Sequence, residues 1–390
     1  ERDRVRGERP RKRVLFSIIG YSYAHFLKPQ QHPSGHHNRH MSPIREQLRR
    51  PLPLCLALAG LAFIAAVVGL YSGPLHIPIS HVLAGLGLPV GVTPESYETA
   101  AMQEIRLPRV LLGLLIGAAL AQAGAAMQGI FRNPLADPGL VGVSSGAALC
   151  AIAMIVLGNR LHIGESVLAL SLLPLATFAG GALAAWLVAR LAQVDGHTRV
   201  GTMLLAGLAI NAIAGAGIGY LAQMADDTSL HTLSFWMFGS LAKATWHDIA
   251  LLAPLLAIPL ILIPRDARNL NALLLGEAEA GHLGVDVEWL KRRLFVLIVI
   301  AVGASVGLAG IIGFVGLVVP HLVRLWAGPD HRLLLPASAL LGALLLTVAD
   351  VASRLLLAPN ELPIGILTAL VGGPFFLALL ISRKDTADTL

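Results

Sequence analysis

Residues 269–293, NLNALLLGEAEAGHLGVDVEWLKRR, form the longest polar interval in the C-terminal half of the chain, between two almost purely apolar segments. Residues 277–280 favour helix, Gly281 and Gly284 interrupt it, and residues 286–293 can resume it. The pattern predicts two short helices joined by a glycine turn. A compact helical unit in this position indicates a surface on which another protein docks. An ordinary solvated loop is the alternative interpretation.

The composition indicates a membrane protein. Of the 390 residues, 55% are hydrophobic and 13% are charged, and the mean hydropathy is +0.72. A water-soluble chain of this length does not normally reach these values. The net charge of +6 is therefore interpreted from where the basic residues lie, and nucleic acid is not the expected partner. Cys55 and Cys150 both lie in apolar segments and predict no disulfide framework.

Hydropathy predicts ten membrane spans of about 20 residues each. The spans lie at approximately 52–72, 107–129, 139–158, 167–191, 201–223, 247–264, 292–309, 311–327, 333–353 and 362–382. Ten crossings place both termini on one side, and the basic residues around 265–293 place that interval in the cytoplasm. Arg106, Arg109 and Arg354 run against this charge bias, because they are predicted on the outer face.

Residues 1–40 differ from the rest of the chain, since they are rich in arginine and include a histidine cluster at 36–40. We expect this tail to be disordered or non-native, with metal binding by the histidines as an alternative. Residues 41–390 are predicted to form one transmembrane domain.

The spans lack the groups that would drive transport by themselves. Their central portions carry no Asp, Glu, Lys or Arg, which carriers driven by protons or ions usually need at that depth. The sequence also contains no phosphate-binding loop, no H-E-x-x-H and no G-x-S-x-G. We therefore predict no catalytic residue, no metal ligand and no cofactor bound by this chain. A transporter of this kind has to borrow an ATPase, and 269–293 is where the ATPase would dock.

A weak internal repeat appears when the chain is shifted by 186 positions. Gly117-Ala118 then falls on Gly303-Ala304, and Ala123-Gly124 falls on Ala309-Gly310. Because the second and seventh spans run in opposite directions, the repeat predicts the inverted architecture of many transporters. The turn residues of 133–139 are expected to fix the link between the second and third spans, through Asn and Asp caps and rigid prolines.

Five motifs together resemble one family. They are Arg106-Leu107-Pro108-Arg109, residues 133–139 (NPLADPG), residues 142–146 (GVSSG), residues 313–321 (GFVGLVVPH) and residues 361–365 (ELPIG). They resemble the permease subunits of type II ATP-binding-cassette importers for iron-siderophores, haem and vitamin B12, and the resemblance covers about 50–382. It implies an all-α polytopic fold with about ten transmembrane helices and an inverted internal repeat. It also implies a homodimeric pore in the membrane lipid of the bacterial inner membrane, two ATPase subunits that bind ATP and Mg, and a periplasmic binding protein.

The resemblance assigns roles to three sets of residues. The ATPase-coupling segment comprises Leu275, Gly276, Glu277, Ala278, Glu279, Ala280, Gly281, His282, Leu283 and Gly284. The cytoplasmic gate segment comprises Thr198, Arg199, Val200, Gly201 and Thr202. Arg106, Arg109 and Arg354 are expected to receive acidic residues of the binding protein, with a local pair between Arg354 and Asp350 as the alternative.

The expected cargo is haem, because the outer segment 225–241 looks most like that of haem permeases. Phe235, Trp236, Met237 and Phe238 are predicted to line the substrate path beside the pore mouth, on a short helix, with packing against neighbouring helices as the alternative. Five histidines are also predicted on the outer side. Each is interpreted first as a solvated loop residue, with ligation of haem iron as the alternative. They are His76, His81, His162, His231 and His247. Ferric siderophore and vitamin B12 are alternative cargoes, and a membrane receptor or scaffold without transport is the alternative of another class.

Overall fold

The computed structural model describes residues 51–387 except 74, 76, 86, 88, 90, 161–166, 195 and 359. The tail 1–40, His76 and His162 lie outside the described residues. The helices, in chain order, are α1 Pro51–Tyr71, α2 Ile79–Gly85, α3 Ser96–Ala100, a π-helix Ala101–Arg106, α4 Leu107–Ile130, a 3-10 helix Pro138–Val141, α5 Val143–Arg160, α6 Val167–Ala192, α7 Val200–Gln223, α8 Asp227–Met237, α9 Trp246–Leu262, a 3-10 helix Ile263–Asp266, α10 Ala267–Leu273, α11 Glu277–His282, α12 Val287–Ala309, α13 Val315–Ala327, α14 His331–Leu355 and α15 Ile364–Ala387. Two short strands, β1 Gln193–Val194 and β2 His197–Thr198, pair antiparallel between α6 and α7.

The helices reproduce the predicted spans in number and order. Within the described residues seven helices are long and apolar enough to cross a membrane, and shorter apolar helices at Val143–Gly158, Val315–Ala327 and Ile364–Leu379 lie where the other three spans are predicted. The all-α polytopic fold with about ten membrane helices is therefore confirmed.

The second span begins earlier than hydropathy predicts, because helix runs without a break from Ser96 through the π-helix into α4. In the π register the N–H of residue 108 would bond Gln103, but Pro108 has no N–H to donate. The indole Nε1 of Trp246 donates to the Gln103 carbonyl instead, at 2.9 Å. The Gln103 carbonyl, which Pro108 cannot serve, therefore still accepts a hydrogen bond. In this way Pro108 is accommodated at the start of α4.

The core of the fold is α4, which is buried along nearly its whole length against α12, α13 and α14. Gly117 and Gly342 allow α4 and α14 to approach backbone to backbone. A Cβ added at Gly117 would lie 2.3 Å from the Gly342 carbonyl oxygen, and one at Gly342 would lie 2.2 Å from that of Gly117. In a membrane, apolar side chains gain little by moving from lipid to a helix interface, because both are apolar. Close packing at small residues therefore holds the helices together.

The helix packing agrees with the inverted repeat. The shift of 186 residues places α4 on α12. In the order of the spans α6 is the fourth and α14 the ninth, and α4 packs on α14 as α12 packs on α6. Gly303, the counterpart of Gly117, lies against Phe178 of α6, and Gly307 lies against the Pro174 carbonyl of the same helix. Both repeats thus use glycine on their central helix to admit a partner helix.

Turn residues act as predicted between α4 and α5. The Asn133 side chain accepts a hydrogen bond from the Leu135 N–H at 3.0 Å, and the Asp137 side chain accepts one from the Gly139 N–H at 2.7 Å. These local bonds satisfy backbone groups that the helices leave open at their ends.

Candidate functional site

The ends of α4 and α14 that are predicted to face outward carry a largely buried cluster of charges, here called the outer arginine cluster: Arg106, Arg109, Asp350, Arg354 and Glu361. Arg109 Nε donates to Asp350 Oδ1 at 2.8 Å, and its Nη1 donates to both carboxylate oxygens of Glu361 at 2.9 and 3.0 Å. Arg354 Nη2 lies 2.9 Å from Asp350 Oδ2, which is the local pair given above as the alternative. All three arginines are buried.

Two of these arginines also hold the end of α1. Arg106 Nη1 donates to the carbonyls of Leu70 and Tyr71 at 2.8 and 2.9 Å, and Arg354 Nη1 donates to those of Gly69 and Ser72 at 3.1 and 2.9 Å. The last carbonyls of a helix lack partners within it and carry partial negative charge, so guanidinium groups satisfy both needs.

The structure therefore gives each predicted docking arginine partners within the chain. Whether the arginines also receive a binding protein stays a prediction. Glu361 is the accessible member of the outer arginine cluster, because 34% of its side chain is exposed while it bonds Arg109.

The predicted helix beside the pore mouth is present as α8, and the Asp226 side chain caps it by accepting from the Ser229 N–H at 3.2 Å. The structure divides the four predicted path residues between two faces. Phe235 and Phe238 are exposed, whereas Trp236 and Met237 are half-buried and pack against the helices behind α8. The exposed surface at the end of α8 thus includes two of the four predicted path residues, not all four.

Backbone contacts fix the end of α8. The Gly365 N–H donates to the Phe238 carbonyl at 2.8 Å, and the Ile364 N–H donates to the Gly239 carbonyl at 3.0 Å. A Cβ at Gly365 would lie 2.1 Å from the Phe238 carbonyl oxygen. The ELPIG motif therefore needs its glycine for this close approach, which joins the start of α15 to the end of α8.

The coupling segment, residues 275–284, has the two-helix form that the sequence predicts, with one difference. The breaks occur at Gly276 and Gly284, with φ of +136° and +85°, and Gly281 lies inside α11 instead of ending it. The helix resumes at α12, where the Asp286 side chain accepts from the Trp289 N–H at 3.0 Å. The left-handed turns at the two flanking glycines already allow the change of direction, so Gly281 is free to remain helical.

One side of the coupling segment is anchored and the other is open. Ala280 is fully buried, whereas Leu275 and Leu283 are 67% and 64% exposed. A Cβ built on Gly281 meets nothing within 4 Å. Exposed leucines beside a surface without obstruction suit contact with another protein.

Asn271, just before the coupling segment, fastens α10 to the start of α14. Its Nδ2 donates to Asp330 Oδ1 at 2.6 Å, and its Oδ1 accepts from the His331 N–H at 2.8 Å. Partial burial raises the pKa of Asp330, but the hydrogen bonds from Asn271 and the Arg332 N–H outweigh it and hold the pKa below its ordinary value. These hydrogen bonds hold α10, which leads into the coupling segment, against the start of α14.

A chain of polar side chains joins the coupling segment to the gate segment, residues 198–202. Lys291 Nζ lies 2.6 Å from Glu277 Oε2 and 3.5 Å from Glu288 Oε1. Glu288 Oε2 accepts two hydrogen bonds from Thr198, from its hydroxyl at 2.9 Å and from its backbone N–H at 3.2 Å. Four side chains thus connect α11, α12 and β2.

The gate segment starts in β2 and continues into α7. Thr198 ends the strand, Arg199 precedes the helix, and Val200, Gly201 and Thr202 form its first turn. A cavity of about 380 Å³ lies beside it. The lining residues are Ile130, Phe131, Arg132, His197, Thr198, Arg199, Val200, Glu277 and Glu288. The structure therefore brings the gate and coupling segments together around one cavity.

Sequence reasoning missed Glu288 and Lys291. The spacing of three residues on one helix hints at a local ion pair between them. The partner that matters for Glu288 is Thr198, which lies 90 residues away in the sequence. A sequence pattern that spans only neighbouring residues cannot predict a contact over this distance.

The histidines offer no metal site within the part of the chain that the structure describes, where no group of three His, Cys, Asp or Glu residues could hold a metal ion. His81 Nδ1 lies 2.5 Å from Glu98 Oε2, and the His231 ring lies 4.8 Å from the Phe235 ring. His247 is exposed. The cluster at 36–40 falls outside the described residues.

Comparison with known proteins gives the family. The FecCD transport family matches residues 60–382. The chain is 48% identical to the hemin transport system permease protein HmuU of Yersinia pestis, over 72% of this chain and 83% of that protein. It is 42% identical to the cobalamin import system permease protein BtuC of Halobacterium salinarum, over 86% of this chain and 92% of that protein.

A solved structure of a metal-chelate type ABC transporter in an inward-facing conformation superposes with a TM-score of 0.72 and 30% identity, covering 84% of this chain and 99% of that chain. This likeness extends the family match from sequence to fold. The chain therefore belongs to the FecCD transport family of ATP-binding-cassette importer permeases, and it is a multi-pass inner-membrane protein.

Proposed function

We propose that this permease imports haem (hemin), moving it from a periplasmic haem-binding protein across the inner membrane to the cytoplasm. The 48% identity to a hemin permease supports haem over cobalamin, for which the identity is 42%. The cobalamin relative matches more of the chain, so vitamin B12 and ferric siderophore are the competing cargoes.

The outer end of the path also favours a flat apolar cargo. Phe235 lies in the last turn of α8, Phe238 directly follows the helix, and both side chains are exposed. Aromatic faces of this kind suit the stacking of a porphyrin, which is itself flat and largely apolar. Trp236 and Met237 pack against neighbouring helices and do not line the path.

ATP hydrolysis belongs to a separate ATPase subunit, which binds ATP and Mg, and this chain is not an enzyme. The observation that carries the proposal is the coupling segment. It exposes Leu275 and Leu283, and it is joined through side chains to the gate segment. A docking surface connected to a gate is what an ATP-driven permease needs and what a receptor or scaffold does not.

A second copy of the chain completes the pore, with an ATPase under each copy. The helix α7, which carries the gate segment at its start, is the least buried of the seven long spans. Its exposed large side chains are Leu205, Leu208, Ile213 and Tyr220. A symmetric partner that packs on α7 would cover these residues and place two gate segments on one axis.

The binding protein docks on the outer face, at the outer arginine cluster. Glu361 is the partly exposed partner of the buried Arg109. An acidic side chain of the binding protein that displaces Glu361 would gain the same two-point geometry with the guanidinium group.

The test is selective uptake by proteoliposomes that contain the permease, its ATPase and its binding protein. The proposal predicts that haem accumulates, and that Phe235→Ser with Phe238→Ser slows haem uptake more than it slows ATP hydrolysis. Leu230→Ser on the same helix, also exposed, is the matched control. Accumulation of cobalamin or a ferric siderophore without haem would show that the cargo is wrong.

A further inference from the structure

The side chain of Lys291 is only 3% exposed, yet it sits between carboxylates of two different helices. Glu288 lies one turn earlier on the same helix, but the shorter contact, at 2.6 Å, is to Glu277 on α11. A buried ammonium group that loses its partners costs several kcal/mol, so Lys291 has to follow its carboxylates when they move. The position of α11 and the position of the Lys291 ammonium are thereby linked.

Glu288 is the next member of this chain. Its Oε1 faces Lys291, while its Oε2 accepts both the hydroxyl and the backbone N–H of Thr198. Two hydrogen bonds to one residue fix the orientation of the strand end as well as its distance, and a charged acceptor makes both bonds stronger than neutral ones. Thr198 ends β2, and only Arg199 separates it from the first turn of α7.

We propose that Glu277, Lys291, Glu288 and Thr198 form a relay through which movement of α11 repositions the gate segment. The inference rests on the proposed function, because it assumes that an ATPase moves the coupling segment. Lys291 and Glu288 are positioning residues in this relay, since they act on the gate through Thr198 and do not touch the cargo. The cavity of about 380 Å³ beside the gate segment gives the strand end room to shift when Glu288 moves.

The relay differs from a simple structural staple in one measurable respect. A staple affects folding and assembly, whereas the relay affects how much cargo moves for each ATP that is hydrolysed. Lys291→Met keeps an unbranched side chain that is one atom shorter and removes its charge. Arg292→Met, at the exposed neighbouring position, is the matched control for loss of one positive charge on this face. Lys291→Arg keeps the charge.

The experiment measures ATP hydrolysis and haem uptake in proteoliposomes for the assembled complex of permease, ATPase and binding protein. For Lys291→Met we expect an assembled complex that hydrolyses ATP and moves on the order of tenfold less haem per ATP, the size of an ordinary coupling between two sites. Arg292→Met should resemble the unmodified permease, and Lys291→Arg should recover much of the ratio. If unmodified permease moves another cargo, that cargo replaces haem as the probe.

A double-mutant cycle keeps the proposal open to contradiction even where Lys291→Met assembles poorly. Thr198→Val removes one hydroxyl at a half-buried strand end, and Glu288→Gln keeps the acceptor for Thr198 while removing the charge that attracts Lys291. Members of one relay should be non-additive, so the pair should be no worse than the more severe single variant. Additive effects, or an unchanged ratio in all single variants, would overturn the relay. An unmodified complex that moves no cargo would overturn the proposed function instead.

Discussion

Arg109 and Asp350, which are 241 residues apart in the sequence, form a buried hydrogen-bonded ion pair at 2.8 Å that joins the outer ends of α4 and α14. Asp350 also lies 2.9 Å from Arg354, so one carboxylate serves two guanidinium groups. The pairing explains how charged residues that run against the usual bias are accommodated at this end of the membrane helices.

Replacing Asp350 with Asn should destabilise the fold strongly, by about 3 to 5 kcal/mol, because two buried guanidinium groups would lose their shared charge partner. Thermal unfolding of the purified protein in detergent measures the effect. Glu361→Gln is the control, since its side chain is partly exposed and water can replace the lost interaction. Equal stability of the two variants would contradict a structural role for Asp350.

A binding protein that docks on the outer arginine cluster would compete with Glu361 for Arg109. If a carboxylate of the binding protein displaces Glu361 from Arg109, then Glu361→Gln weakens the internal competitor and should tighten docking several-fold. Arg109→Lys should weaken docking, because a single ammonium group cannot serve Asp350 through one nitrogen and the docked carboxylate through another. Titration of the binding protein against permease in nanodiscs reports both affinities. Unchanged affinity in both folded variants would mean that docking uses another part of the outer face.

Gly124 should be intolerant of any side chain. Pro320 has no N–H for the Gly316 carbonyl one turn earlier in α13, and Gly124 of α4 lies against that oxygen. A Cβ at Gly124 would come within 1.9 Å of it. Gly124→Ala should therefore cost about 1 to 3 kcal/mol through forced separation of the two helices.

Yield and melting temperature of the purified protein measure the cost at Gly124. Gly60→Ala on α1, where a Cβ meets nothing within 4 Å, is the matched control and should be neutral or slightly stabilising. A neutral Gly124→Ala variant would show that α4 and α13 are not in contact at this point.

Gly281→Trp should leave the permease folded and impair its ATPase contact. The position faces open space within this chain, so the indole clashes only with a protein docked on α11. Co-purification with the ATPase and the rate of ATP hydrolysis by the complex measure the effect, and Gly60→Trp is the control for adding an indole elsewhere. Normal assembly and normal transport by Gly281→Trp would place the ATPase contact outside the coupling segment.

The features that the sequence predicts well are those with local causes. Long apolar runs give the spans, and Asn133, Asp137 and Asp286 cap turns and helices through groups two or three residues away. The glycine-bounded helix of the coupling segment follows from the same local rules, although the sequence pattern wrongly predicts a break at Gly281. A single glycine inside a helix costs only about 1 kcal/mol relative to alanine, so it does not end the helix by itself.

Features that depend on distant contacts were not predictable. The outer arginines look like free cations on a surface until Glu361 and Asp350 are placed beside Arg109. The face on which Trp236 packs depends on helices far along the chain, so its burial behind Phe235 could not be inferred from the segment itself. The contact of Glu288 with Thr198 belongs to the same class.

The most direct test of the account is ATP-driven haem accumulation in proteoliposomes that hold the permease with its ATPase and receive the binding protein from outside. The account predicts that haem accumulates inside only when ATP, the binding protein and a hydrolysis-competent ATPase are all present. Haem that binds to these vesicles equally well with and without ATP, and never enters them, would contradict it and favour a receptor that does not transport.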